Sequence, residues 1–400
     1  MEMFDELYYK RPSVTEFDAR VVSAEPKGKK WEIVLDRTAF YPEGGGQPSD
    51  RGYLEVGGRR IRVSHATLKD GVVRHTTEEV TDVDEIEVGQ QVHGVIDEKF
   101  RADNSAGHTG EHILSGLIHR KYGYENVGFH MSDVISIDIS GPLTYEQLME
   151  MEDAANEIIR RDLPVLEYLP TDEELETLDY RSKKELTGTV RIIEIPEADV
   201  CACCGTHVSR TGEIGLLKCL SIASYKGGVR IELLAGRPAL LYVRKIMEQN
   251  SEISRLLSVK PQQTAAGVVR LQSEIAAEKE RTTGFIGRYY ESKAAAAEDG
   301  QALLIDFEEN MNSMDIQRFA DRFVKDGKAE TAAVLTERNA KDPEEGYNYV
   351  IISRSRNLRD AAKTLNAALN GRGGGRDVSI QGFFRAEREQ IEKVLRENLG

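Results

Sequence analysis

The sequence predicts an α+β protein with a β-rich, barrel-like N-terminal region, an α+β core, a helical arm and a small C-terminal α/β region. Three observations carry that expectation. Short runs of alternating apolar and polar residues fill the first hundred positions, helical periodicity dominates 237–297, and strand-like and helix-like runs alternate after that. The boundaries fall at 1–100, 101–236, 237–297 and 298–400.

In the first part, the runs that begin at Ala19, Lys30, Tyr53 and Arg60 alternate as half-buried strands do, and Gly57-Gly58 supplies a turn. From about Asp103 the pattern changes. His112-Ile-Leu-Ser-Gly-Leu-Ile is apolar at helical spacing, the run from Val134 returns to strand alternation, and 144–161 reads as an amphipathic helix capped by Thr144. Further strands are expected around Thr189 and Ile214. The arm carries Leu240, Val243, Ile246, Ile253 and Leu256 at helical spacing, and Pro261 divides it in two. Strands then begin near Ala302, Ala332 and Tyr349, and Asn370-Gly-Arg-Gly-Gly-Gly-Arg-Asp follows as a glycine-rich tail segment.

Composition narrows the function classes. With 400 residues, 40% hydrophobic and 30% charged, the chain can bury an ordinary core. No apolar run approaches the length that spans a bilayer, and residues 1–12 do not resemble a secretory signal, so a cytosolic protein is expected. Three of the four cysteines crowd into Cys201-Ala-Cys203-Cys204, a metal-like pattern and not a disulfide framework. The net charge is −15, yet Arg354, Arg356, Arg359, Lys363, Arg372, Arg376 and Arg385 face only Asp360 and Asp377 in one late stretch. Local positive charge on an acidic chain suits selective docking of a polyanion.

Two short motifs bear on chemistry. His108 and His112 stand four residues apart, so on a helix they share a face and can grip one ion. Cys203-Cys204-Gly205-Thr206-His207 supplies a thiolate and an imidazole at the same spacing, completing a Cys/His₃ set suited to Zn²⁺. A Cys201/Cys204 pair with Cys219 is the alternative register. His108-Thr-Gly-Glu111-His112 also fits an H-x-x-E-H peptidase pattern, with Glu111 as base and Glu185 as a third ligand. Gly44-Gly45-Gly46-Gln47, within 41–52, lets backbone approach a ligand and offers N–H groups to phosphate or ribose. No Gly-Lys-Ser/Thr follows, so it is not a nucleotide P-loop.

Taken in order, the Gly-Gly-Gly-Gln-Pro loop, the His-Thr-Gly-Glu-His helix, the Cys-Cys-Gly-Thr-His turn with Thr211-Gly-Glu-Ile-Gly, and the Gly-Arg-Gly-Gly-Gly-Arg-Asp tail resemble the freestanding alanyl-tRNA editing proteins. The resemblance is to their long form, which keeps the C-terminal domain of alanyl-tRNA synthetase, and it covers nearly the whole chain. It implies zinc on His108, His112, Cys203 and His207, with Cys204 standing where the family usually has glycine. It implies a deacylase for tRNA(Ala) that carries serine or glycine, amino acids an alanine pocket discriminates poorly. Thr109 and Gln47 become candidates for contacting the serine hydroxyl or the terminal adenosine, with Glu111 and Asp50 as orienting groups. Arg372, Gly373, Gly374, Gly375 and Arg376 become candidates for gripping tRNA phosphates. The arm or the last region is expected to support a homodimer. Rival expectations are a non-catalytic tRNA-binding zinc protein and the peptidase. The tail also resembles that of DHH-type phosphoesterases, but their Asp-His-His motif is missing.

Overall fold

The structure, a computed structural model, describes residues 5–10, 13–79, 86–182, 190–339 and 345–400. The chain divides into two compact units, one running through Glu252 and the other from Ile253. Both mix helices and strands, as the sequence predicts.

The first unit begins with a closed barrel. Its strands follow the order Glu16–Lys27, Lys30–Leu35, Val72–Thr77, Arg59–Lys69, Gly52–Val56 and Gln91–Ile96, each antiparallel to its neighbours. Alternation in the sequence becomes alternation in burial: Phe17, Ala19 and Val21 point inward while Glu16, Asp18 and Arg20 face water. Gly94 is small because the Phe17 ring lies over it; a Cβ there would come within 2.4 Å of that ring. Closure leaves no unpaired edge.

The helix Glu98–Tyr122, here the central helix, leaves the last barrel strand directly. Asp97 caps it by accepting the Phe100 N–H, and Gly123 ends it in the left-handed conformation. It starts before Asp103, where the sequence pattern shifts. Glu98, Lys99 and Ala102 in its first turns are exposed, and from Asn104 to Gly116 it is buried all round, so neither part shows a clean apolar stripe. Ile113, Leu114 and Ile118 are wholly buried, each contributing about 1.5–3 kcal/mol. Gly110 and Gly116 let strands press close. A Cβ at Gly110 would lie 2.7 Å from Ala235 Cβ, and one at Gly116 would lie 2.4 Å from the Ala198 carbonyl oxygen.

Around this helix stand a four-stranded sheet (Leu217–Tyr225, Gly228–Ala235, Ile135–Ile139, Asn126–Met131), a three-stranded sheet (Leu166–Tyr168, Ile192–Ile195, Asp199–Ala202) and the helix Tyr145–Arg160. Thr144 caps that last helix in a reciprocal box with Gln147. The arm is two helices, Arg237–Leu257 and Thr264–Ala296, interrupted at Pro261.

In the second unit one sheet runs Gln301–Glu308, Ala329–Glu337, Tyr347–Ser353, Ser379–Phe384, Arg372–Arg376, the first pair parallel and the rest antiparallel. The glycine-rich tail is therefore an edge strand. A Cβ at Gly373 or Gly375 would strike the Gln381 or Ser379 carbonyl, at 2.4 and 2.1 Å, which explains two of its three glycines by strand contact.

Candidate metal centre

Each of three histidines is held through Nδ1 by a partner that can only accept. Gln47 Oε1 takes the Thr206 backbone N–H at 3.0 Å, which fixes the amide orientation; the His108 Nδ1–H therefore donates to the same oxygen at 2.8 Å. The His112 Nδ1–H donates to Asp199 Oδ2 at 2.8 Å. The Thr109 hydroxyl gives its own proton to the Ser105 carbonyl and accepts the Val208 N–H, so it accepts the His207 Nδ1–H at 3.2 Å. In each ring this leaves Nε2 as the atom turned towards Cys203. Burial opposes charge on His112, yet the Cys203 thiolate and Asp199 push its imidazole well up, and a metal at Nε2 would take the place of that proton.

Those nitrogens converge on Cys203. Its sulfur lies 3.5 Å from His108 Nε2 and 3.4 Å from His207 Nε2, and one ligand atom from each of the four residues lies within 4.8 Å of the others. A tetrahedral zinc with Zn–N bonds of about 2.0–2.1 Å and Zn–S of about 2.3 Å needs ligand atoms roughly 3.3–3.6 Å apart. The donor set and its spacing fit that ion. Burial by itself would raise the Cys203 thiol, but His108 and His112 overcome it and hold the thiol well below its ordinary value. Burial likewise opposes charge on His207, whose imidazole is pushed down to about 3 despite Cys203. A thiolate and a neutral imidazole are the ligand forms zinc takes.

The turn 203–207 is placed from outside. Arg191 donates to the carbonyls of Cys203 and Gly205 at 2.9 and 2.8 Å, and the Tyr9 hydroxyl donates to the Cys204 carbonyl at 2.7 Å. Gly205 has no room for a side chain, since a Cβ would sit 2.0 Å from the His108 ring. Asp199 is fixed in turn by Arg181 at 2.7 and 2.8 Å. Although burial works against it, His112 and Arg181 hold its carboxyl down at about 2.

The sequence-derived candidates fall into different surroundings. Gln47 and Thr109 are fully buried, and their polar atoms are engaged by His108, Thr206, His207, Ser105 and Val208. Both hold a histidine ring from behind, Gln47 that of His108 and Thr109 that of His207. Glu111 is 1% exposed; its Oε1 accepts from Ser115 at 2.6 Å and from Asn126, while its Oε2 lies 4.0 Å from His112 Nε2, at the edge of the cluster. Asp50 is 0% exposed, salt-bridged to Arg101 and accepting the Tyr41 N–H, which ties the glycine loop to the central helix. Gly44 and Gln47 close a turn through paired backbone bonds of 3.2 and 3.0 Å. Gly45 and Gly46 stay exposed at its tip with positive φ, and Gly46 packs on Phe129, which stacks on His108.

Cys201 and Cys219 are buried and Cys204 is exposed. Cys201 joins Asp199 and His112 in a second, overlapping group, while Cys204 and Cys219 are in neither. Glu185 lies outside the described residues. Arg372 to Arg376 are exposed along their edge strand, in the second unit. Sequence reasoning passed over Asp199, Arg181, Arg191, Gly205 and Tyr9. Only Gly205, inside the recognised motif, left a signal there.

The family described as tRNA synthetases class II (A) matches residues 7–100, and the threonyl and alanyl tRNA synthetase second additional domain matches 190–232. The chain is 30% identical to an alanyl-tRNA editing protein, AlaX-L, of Pyrococcus horikoshii, over 99% of this chain and 98% of that one. It is 36% identical to an alanine–tRNA ligase of Methanothermobacter thermautotrophicus over 67% of this chain, and 32% identical to one of Thermococcus kodakarensis over 97%. It spans only 30% and 43% of those ligases.

Proposed function

We propose that this chain, which belongs to the alanyl-tRNA editing proteins, removes serine or glycine wrongly attached to tRNA(Ala) by hydrolysing the ester to the terminal ribose. One observation carries the reading: three histidines and Cys203 each bring a ligand atom within 4.8 Å of the others, and each histidine is locked from behind. Zinc would be held by His108, His112, Cys203 and His207, and when bound it supplies a Lewis acid that binds and polarises the substrate end.

The chain's own residues do the rest. Gln47, Thr109 and Asp199 fix the rings, so the cluster does not reorganise during reaction. Cys203 and His207 are half-buried, and the exposed Gly45–Gly46 turn borders Phe129 beside His108. The acceptor end enters over that side, with Gly44, Gly45 and Gly46 offering backbone N–H groups to ribose or phosphate. Arg372 and Arg376 contact tRNA phosphates through the exposed edge strand. Charged tRNA is a cytosolic substrate, so we expect the protein in the cytosol. Among the described residues, no helix is long and apolar enough to cross a membrane.

The peptidase alternative uses Glu111 as base and Glu185 as third ligand, and it leaves Cys203 and His207, which stand against each other and beside His108, without a role. Deacylation of Ser-tRNA(Ala), Gly-tRNA(Ala) and Ala-tRNA(Ala) tests the proposal. Loss of serine or glycine with alanine spared is expected. Intact Ser- and Gly-tRNA with zinc-loaded protein would favour a binding protein that does not turn over.

A further inference from the structure

A cleft of about 320 Å³ opens along the central helix beside the face that bears His108 and His112. Met131, Ile135, Leu234 and Leu241 give it an apolar wall, and Asp103, Ser132 and Asp133 add polar lining. Arg51 and Phe100 also line it, the guanidinium 3.9 Å over the ring. Inside stands Asn104, only 8% exposed, whose amide nitrogen meets no acceptor among the described residues. Buried amide donors are nearly always paired, and one that is not, lining a cleft, marks where a ligand brings the acceptor.

Position ties the cleft to the cluster. Asn104 sits one helical turn before His108, about 5–6 Å along the same helix. The strand Asn126–Met131 joins them as well, with Phe129 stacked on His108 and Met131 lining the cleft.

Size and chemistry select the occupant. Serine and glycine have no apolar face to set against Met131, Ile135, Leu234 and Leu241 and would leave most of the volume unfilled. A purine has a flat apolar face and ring nitrogens that accept an N–H, and asparagine is a recurrent partner of adenine. The ester stands on the ribose of the terminal adenosine, so base and ester must lie within one nucleoside's length. We propose that this cleft seats the terminal adenine of the tRNA, with Asn104 donating to a purine ring nitrogen while the ester lies at the cluster. The proposal rests on the deacylase reading above.

Seryl minihelices ending in A or in C test it, with wild type, Asn104→Ala and Leu241→Trp. Leu241 is 39% exposed at the rim, so the tryptophan narrows the cleft without entering the core. The wild type should prefer the A-ended substrate. Asn104→Ala should lose about fivefold to tenfold on that substrate through KM, with kcat and zinc content kept and the C-ended substrate unaffected. Leu241→Trp should weaken binding of an amide-linked, non-hydrolysable A-ended minihelix. Equal losses on both ends, or an unchanged KM in both variants, would overturn the assignment. A wild type that cleaves neither substrate yet binds the A-ended amide in preference would remove the deacylase reading and keep the cleft.

Discussion

Polar groups are used in opposite ways at the cluster of the first unit and along the edge strand of the second. At the cluster each ring has a fixed partner behind it, and even the backbone of the turn 203–207 is held by Arg191 and Tyr9. Along Arg372–Arg376 the side chains are exposed, and neither terminal arginine has an ion pair among the described residues. The first arrangement fixes geometry, as chemistry requires. The second offers charge without fixed geometry, as a polyanion backbone accepts. Mutations in the two regions should therefore fail differently.

The largest effect is expected for Cys203→Ala. Zinc content should fall to background and deacylation should drop by more than about 100-fold, beyond what loss of a supporting residue costs. Metal analysis and single-turnover assays check both. Asp199→Ala should come next, weakening zinc binding by about 10–100-fold, because His112 loses its orienting partner and Arg181 its carboxylate. Competition with a chelator measures that loss. If Asp199→Ala held zinc like the wild type, the contrast between fixed and unfixed polar groups would lose its basis.

Arg372→Ala with Arg376→Ala should behave otherwise. KM should rise while kcat and zinc stay level, and the slope of log affinity against log salt should shrink by about 1.4–1.8 if both arginines meet phosphate. Affinity measured across a salt series reads this directly; a fall in kcat would break the comparison.

The smallest effect at neutral pH is expected at His75, a buried barrel histidine bonded to the Ile33 carbonyl and Thr38 but without a thiolate beside it. Burial pushes its imidazole down to about 4. The unfolded chain takes up the proton first, near pH 6.5, so its contribution is complete above that pH. It is lost as pH falls towards 4, by about 3 kcal/mol in all. Denaturant titrations of His75→Gln should show a flatter decline over that window, with deacylation at neutral pH unchanged.

Much of this was legible because periodicity and short motifs are local. Barrel alternation, the Thr144 cap and the break at Pro261 follow from neighbouring residues alone. So do the paired spacings of His108/His112 and Cys203/His207. The start of the central helix was not legible, because its first turns are mostly exposed and its middle, buried on every side, carries the inward polar residues His108, Thr109 and Glu111, so no stripe runs along it. Asp199 and Arg191 serve the cluster from the small sheet, and no spacing rule connects them to it. The tail glycines read as a segment that brings backbone to tRNA phosphates, while two of them also meet the neighbouring strand too closely for a side chain.

The most direct test strips wild-type protein of metal with a chelator and follows deacylation of Ser-tRNA(Ala) as zinc is returned. Activity that vanishes and is restored at one zinc per chain, with no restoration in Cys203→Ala, is the result expected. Full activity in stripped protein, or recovery in Cys203→Ala, would contradict a deacylase built on His108, His112, Cys203 and His207.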